Sequence, residues 1–293
     1  LHQYPWTSSI YRDCAADIYH SEEPSWGTVI AMRTVRGGRH VATLQNPRSR
    51  SDWEKVDRYY PLRRRVFNLL YGGRLKEAVK HMDAVYCQAR YQRSEARTIY
   101  DLDKLPGFLP NPVDVPKARP LKDERPTVCF LGRFDGEKRP EQFFELARGF
   151  PEVDFIALGA AHNDVRDTKL RRNYGGIENL EMPGFKTGRE KRGVLERSWI
   201  LVNTSVSEGF PIAFLEAVAH HCAILSYHDP DCFATNFGFH ASEETLDEGL
   251  RWLLEGDRWR ELGERGYDYV SRVHEREKVI ERHLEVYKEL MAR

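Results

Sequence analysis

Arg133 and Lys138 stand in the segment Gly132-Arg133-Phe134-Asp135-Gly136-Glu137-Lys138-Arg139-Pro140, directly after the apolar run Phe130-Leu131. Glycines flank a turn there, and Pro140 suits the opening turn of a helix. A helix N-terminus with two nearby cations is a natural diphosphate site, because fixed N–H donors, helix dipole and formal charge all favour an anion. In a chain that is 31% charged, the segment also reads as a solvated turn. A second stretch, Ser207-Glu208-Gly209-Phe210-Pro211, leads into Ile212-Ala213-Phe214-Leu215-Glu216-Ala217-Val218-Ala219. Glu208 falls in the turn, and Glu216 in an otherwise apolar helical stretch where a carboxylate is costly unless partnered. Ribose or sugar hydroxyls would serve, since an ionised carboxylate accepts two neighbouring O–H bonds; an Arg of the same domain would serve equally.

These residues act together only if the fold gathers them, and the hydropathy pattern predicts how. Strands are expected at 127–133, 153–158, 180–182, 199–203 and 223–226, with helices at 140–150, 186–197 and 211–220. Strands alternating with helices of this length point to a parallel, doubly wound sheet, in which ligands bind beyond the carboxyl ends of the strands. Both polar segments sit at such ends. Residues 242–293 read as charged helices, the last a long one from about Glu275.

The Pro-rich stretch Leu109-Pro110-Asn111-Pro112-Val113-Asp114-Val115-Pro116 can continue neither helix nor central strand, and marks a domain boundary. The expected division is 1–115, 116–274, and a helix over 275–293 that crosses back to the first domain. Before the boundary, strands are expected at 16–19, 40–44 and 84–87, with a basic amphipathic helix around 62–78. No strand, tight turn and helix of the ligand-cradling kind precede His20, so this domain is expected to be incomplete. The chain opens Leu1-His2 without an initiator Met or a signal segment, as a processed, trimmed or incompletely read chain would.

Overall charge balances at 45 Lys and Arg against 45 Asp and Glu, which gives no pull toward nucleic acid, and no apolar run reaches a membrane span. The balance hides a polarity: residues 1–120 carry 20 basic against 13 acidic residues, the remainder 25 against 32. Five widely spaced cysteines with no C-x-x-C pair argue against a disulfide framework and fit a reducing cytoplasm.

The string Gly132-Arg133…Glu137-Lys138, then Pro183-Gly184-Phe185, then Ser207-Glu208-Gly209-Phe210-Pro211-Ile212-Ala213-Phe214-Leu215-Glu216-Ala217 resembles the donor-binding half of glycosyltransferase family 4. Asp83-Ala84-Val85-Tyr86 through Leu109–Asp114 is similar to the end of that family's first domain and its linker, so the likeness covers most of residues 80–290. The resemblance implies the GT-B fold: two Rossmann-like doubly wound parallel-sheet α/β domains, here with the N-terminal one incomplete. It implies a retaining hexosyltransferase that takes a UDP- or GDP-linked sugar to a glycan or lipid-linked acceptor, as in polysaccharide biosynthesis, with no metal or cofactor required. Arg133 and Lys138 would grip the diphosphate, Glu216 the ribose, and Glu208 would face the transferred sugar. Amides near Gly209 and Phe210 would assist, with Pro211 beside them at the donor site, and Gly184, Phe185 and Lys186 would line the nucleobase pocket.

Three departures stand out. Gln45-Asn46-Pro47 replaces a His common in the family, leaving His20 either to take over a catalytic role or to be a satisfied structural His. His220-His221-Cys222 replaces a small Gly; adjacent residues at a helix end point apart and cannot all chelate one ion. The first strand and Gly-rich loop of the family have no counterpart, so if this chain is the whole polypeptide, nucleotide binding with little transfer is expected. The rivals are a non-catalytic nucleotide-sugar-binding domain and a GT-B epimerase or phosphorylase. Residues 58–71, rich in Arg, Tyr and Leu, mix cations with aromatics as a lipid-facing surface does and as a domain helix with snorkelled arginines does. The first reading would place the protein peripherally at the inner face of the membrane.

Overall fold

The computed structural model describes residues 8–56, 59 and 62–292. The chain divides into two units, Leu1–Asn111 with Glu277–Arg293, and Pro112–Arg276.

The first unit holds a parallel sheet of order β1-β2-β3-β4, made of β1 (Ile18–Ser21), β2 (Arg39–Leu44), β3 (Ala84–Cys87) and β4 (Gly107–Phe108). Its helices are α1 (Ser8–Asp13), α2 (Trp26–Thr34), α3 (Arg50–Val56), α4 (Leu62–Lys80) and α5 (Gln92–Tyr100). The first strand lies two residues later than the apolar run suggests, so His20 is inside β1 rather than after it. The short β4 adds a fourth strand to the three expected.

The second unit alternates strand and helix without exception until its end: β5 (Thr127–Leu131), α6 (Pro140–Gly149), β6 (Asp154–Leu158), α7 (Asp164–Tyr174), β7 (Leu180–Gly184), α8 (Gly188–Arg197), β8 (Ile200–Asn203), α9 (Ile212–Ala219), β9 (Ala223–Ser226), α10 (Phe233–Phe237), β10 (Gly238–His240), α11 (Leu246–Leu254) and α12 (Arg258–Val273). The sheet order is β10-β9-β8-β5-β6-β7, all parallel. The chain builds outward from β5 to β7, returns to β8 beside β5, and builds out the other way. That reversal leaves a crevice at the carboxyl ends of β5 and β8, where doubly wound sheets bind ligands. Phe130, Phe143, Phe144 and Phe155 interlock edge to face or tilted over this sheet, with Phe143 and Phe155 centroids 5.3 Å apart. The chain ends in α13 (Arg276–Met291), which belongs to the first unit. The alternating residues of β2 explain why both its faces are apolar: Ala42 and Leu44 meet Val79 and Ala96, while Val41 meets Leu109, Val286 and Leu290.

Sequence periodicity misses α7 and β10. Only Leu170 of α7 is buried, so the helix carries almost no apolar stripe; it is held instead by its cap, Asn163 accepting from the Arg166 N–H at 3.1 Å. The His220-His221-Cys222 run does point apart. His220 Nδ1 donates to the Glu216 carbonyl at 2.8 Å, His221 stacks on Tyr267 at 4.1 Å, and Cys222 is buried beside the Lys122 ammonium. His221 has φ 57°, a left-handed turn of the kind that a glycine would suit. Lys122 caps two helix ends, donating to the carbonyls of Leu195 at 3.1 Å, His220 at 2.6 Å and Ser198.

No helix among the described residues is long and apolar enough to cross a membrane. Of the basic segment 58–71, residues 58, 60 and 61 and the side chains at 63–65, 67–69 and 71 lie outside the described residues; Leu62, Val66 and Leu70 are exposed.

The ends of β5, β6 and β7 are drawn together at Gly159, whose N–H donates to the Gly184 carbonyl at 3.0 Å. A Cβ there would overlap the Gly132 carbonyl oxygen and sit 3.0 Å from the Phe134 ring. Gly159→Ala is therefore expected to lower stability by about 1–3 kcal/mol, as overpacking does, measured by urea denaturation.

Candidate active site

Two loops meet at the reversal point. Asn203 ends β8, and the Thr204 hydroxyl lies 2.9 Å from the carbonyl oxygens of both Lys138 and Arg139. The Val206 N–H donates to the Glu137 carbonyl at 2.8 Å, and the Lys138 N–H to the Asp135 carbonyl at 3.0 Å. Arg139, at φ 47°, makes the left-handed step into α6. The β5–α6 and β8–α9 loops are thus stitched together by the Thr204 hydroxyl and the Val206 N–H, which fixes the side chains they carry.

Lys138 and Glu208, one from each loop, form an ion pair at 2.6 Å with little exposure on either side. The same oxygen, Glu208 Oε1, also accepts from the Ser205 hydroxyl at 2.6 Å and the Asn203 amide at 3.2 Å. Oε2 accepts nothing among the described residues. Burial pushes the Glu208 carboxyl up, but the Lys138 charge and the three hydrogen bonds outweigh it and hold the group below the usual carboxylate range.

Arg133 stands half-exposed beyond β5, its Nη1 2.7 Å from Asp135 Oδ2 and 3.0 Å from His162 Nδ1. Asp135 also accepts from the His162 N–H at 3.1 Å and lies 2.8 Å from its ring Nδ1. Burial raises the Asp135 carboxyl, and His162 and Arg133 together bring it below its ordinary value. Glu216 is met by Lys191 of α8, at 2.5 Å. The carboxylate in an apolar helix does have a cationic partner, a Lys rather than an Arg.

Gly184 closes β7 at φ 86°, a left-handed conformation that suits glycine, and Phe185 beyond it is 76% exposed. Lys186 pairs with Glu190 at 2.7 Å. Phe210 is buried, edge-on to Phe233 at 5.2 Å and stacked on His274 at 5.8 Å, so its side chain anchors the loop while Pro211 caps α9. Gly209 lies between Glu208 and this anchor.

His20 belongs to the first unit. Its Nδ1 is 2.7 Å from the Tyr287 hydroxyl and its Nε2 2.8 Å from the Thr43 hydroxyl, and burial holds its pKa below the ordinary value. The residues that sequence reasoning missed are Lys191, Ser205, Asn203 and His228. His228 follows β9 and donates through Nε2 to the Ser205 carbonyl at 2.9 Å; burial lowers its pKa, with the Glu208 charge opposing. Its position just past the apolar run 223–226 was the available signal.

Two parallel-sheet α/β units, the larger with its polar residues gathered at the sheet's reversal point, define the GT-B architecture. Residues 114–265 match the family described as glycosyl transferases group 1, more than half of the chain, and the chain belongs to that family. It is 29% identical over 128 residues to a component of the phosphatidylinositol N-acetylglucosaminyltransferase of Arabidopsis thaliana, a match spanning 41% of this chain and 28% of that protein. Among solved structures it is similar to sucrose-phosphate synthase from Thermosynechococcus elongatus, with a TM-score of 0.78 and 14% identity over 98% of this chain and 76% of that one. It is similar also to Anabaena HepE in complex with UDP and glucose, with a TM-score of 0.75 and 12% identity over 97% of this chain and 81% of that one.

Because Glu208 sits below its unfolded value of about 4.3, the stability it contributes is complete above that pH and is lost as pH falls through the folded value. Glu208→Gln is expected to cost about 1–3 kcal/mol at neutral pH and to flatten the acid limb of the stability curve, read as melting temperature against pH.

Proposed function

We propose that the protein is a retaining glycosyltransferase that moves a hexose from a UDP- or GDP-linked sugar to a glycan or lipid-linked acceptor. The reading rests on Lys138 and Glu208 locked together at the carboxyl ends of β5 and β8, with Arg133 half-exposed beside them. Breaking the anomeric carbon–oxygen bond builds charge on the departing diphosphate. Cations fixed beforehand at that place stabilise the transition state more than the ground state. Glu208 holds Lys138 in place through Oε1 and offers Oε2 to sugar hydroxyls. Held below its ordinary value, Glu208 stays ionised near neutral pH and accepts hydrogen bonds from the sugar. The proton of the attacking hydroxyl passes to the departing phosphate oxygen on the same face, as the new carbon–oxygen bond forms and the old one breaks. No step in this scheme needs a metal ion. Glu216 with Lys191 is placed for the ribose, and Gly184, Phe185 and Lys186 for the base.

The complex of Anabaena HepE with UDP and glucose supports a nucleotide sugar as donor. The name of the plant relative, which specifies N-acetylglucosamine and phosphatidylinositol, supports a lipid-linked acceptor.

A thermal-shift screen of uridine, guanosine and adenosine diphosphates tests the donor site, since a ligand at 100 times its dissociation constant stabilises by about 2.7 kcal/mol. Arg133→Ala and Lys138→Ala are each expected to weaken that shift and to reduce turnover by roughly 10²–10³. Unchanged nucleotide affinity in both variants would show that the donor sits elsewhere. Donor binding without transfer or hydrolysis would mark a binding domain, and phosphate-dependent release of sugar phosphate a phosphorylase.

A further inference from the structure

Outside the donor site, one side-chain cluster in the first unit has the chemistry of a metal centre. His20 lies in β1, Glu22 just beyond it, and His283 on α13. Glu22 Oε1 is 3.6 Å from His20 Nε2 and 3.9 Å from His283 Nε2, and the three ligand atoms all lie within 4.8 Å of one another. Both distances are too long for hydrogen bonds. They approach the edges of a tetrahedron with metal–ligand bonds of about 2.0–2.2 Å, which measure roughly 3.3–3.6 Å.

Each candidate ligand is held from behind. His283 Nδ1 faces the Val279 carbonyl at 2.8 Å; a carbonyl only accepts, so Nδ1 carries the hydrogen, and in the neutral ring Nε2 presents its lone pair toward Glu22. Two acceptors, a ring lone pair and a carboxylate oxygen, therefore face each other. His20 Nδ1 is held by the Tyr287 hydroxyl at 2.7 Å, and Glu22 Oε2 accepts from the Gln45 amide at 3.0 Å. Outer partners on every member are what metal ligands characteristically have, because they fix tautomer and orientation.

We propose that His20, Glu22 and His283 bind one divalent transition-metal ion of the zinc class, tying the end of β1 to α13. Two imidazoles and one carboxylate suit zinc, cobalt or iron rather than magnesium or calcium. Glu22 is 58% exposed, so a fourth position is open to solvent. For His20 Nε2 to ligate, the Thr43 hydroxyl now 2.8 Å from it must turn away. The trio joins a strand near the start of the chain to its last helix, which is why local spacing gave no metal motif.

The test uses the whole chain, stripped with chelator and titrated with Zn²⁺ against a chromophoric competitor. One equivalent is expected to bind and to raise the melting temperature. Cobalt substitution should give ligand-field bands without a thiolate charge-transfer band. His283→Ala and Glu22→Gln should each weaken binding by more than the 10–100-fold that losing an outer partner costs. Glu22→Gln leaves an exposed position without touching the core, so it remains informative if His283→Ala folds poorly. Absence of stoichiometric uptake, a thiolate band, or Glu22→Gln binding as tightly as the parent would each overturn the proposal; in that case the trio is a solvated acid–imidazole contact.

Discussion

An ammonium and a carboxylate 2.6 Å apart, both largely withdrawn from water, each depend on the other: removing either leaves a charge that the surroundings cannot solvate. In this protein that dependence spans two loops that are distant in sequence and adjacent only because the strand order reverses between β5 and β8. The bonds from the Thr204 hydroxyl and the Val206 N–H into the β5–α6 loop hold the pair in register, and the aromatic anchor of Phe210 holds the far side. Position of the paired charges thus follows from sheet topology first and from side-chain pairing second.

The same logic recurs around the crevice. Arg133 is set against Asp135, Lys138 against Glu208 and Lys191 against Glu216. Each acid is the nearest answer to a cation that would otherwise repel its neighbours or wander. The polar groups at this crevice are kept in order by partners from the chain itself, with which any charged ligand would compete for the same cations.

Much of this was legible in residue types. The apolar runs ending at Leu131 and Asn203 mark where strands stop, and the cations and acids after them are the ones gathered at the reversal point. Glu216 within an apolar helix demanded a partner, but a demand carries no address. Lys191 lies on a charged helix whose sequence gives no sign of which lysine would answer. His228 and Ser205 were hidden for the same reason, their roles arising from contacts between β9 and β8 ends. α7 escaped because its helix is stabilised by its cap more than by burial, and β10, at three residues, is too short to show a period. The run 16–19 ends before His20 in the sequence, whereas pairing with β2 runs from Ile18 to Ser21, so periodicity puts His20 one step beyond the strand that contains it.

In the Arg133–Asp135, Lys138–Glu208 and Lys191–Glu216 pairs each cation is met by one carboxylate. A bare phosphate ion meets cations whose field is already cancelled at short range and gains little by displacing a single carboxylate. A ligand that reached several of these cations at once, and offered hydroxyls to the acids it freed, would replace part of the pairing it broke. Were the crevice to take the nucleotide sugar proposed above, pairing of this kind would favour it over small inorganic anions.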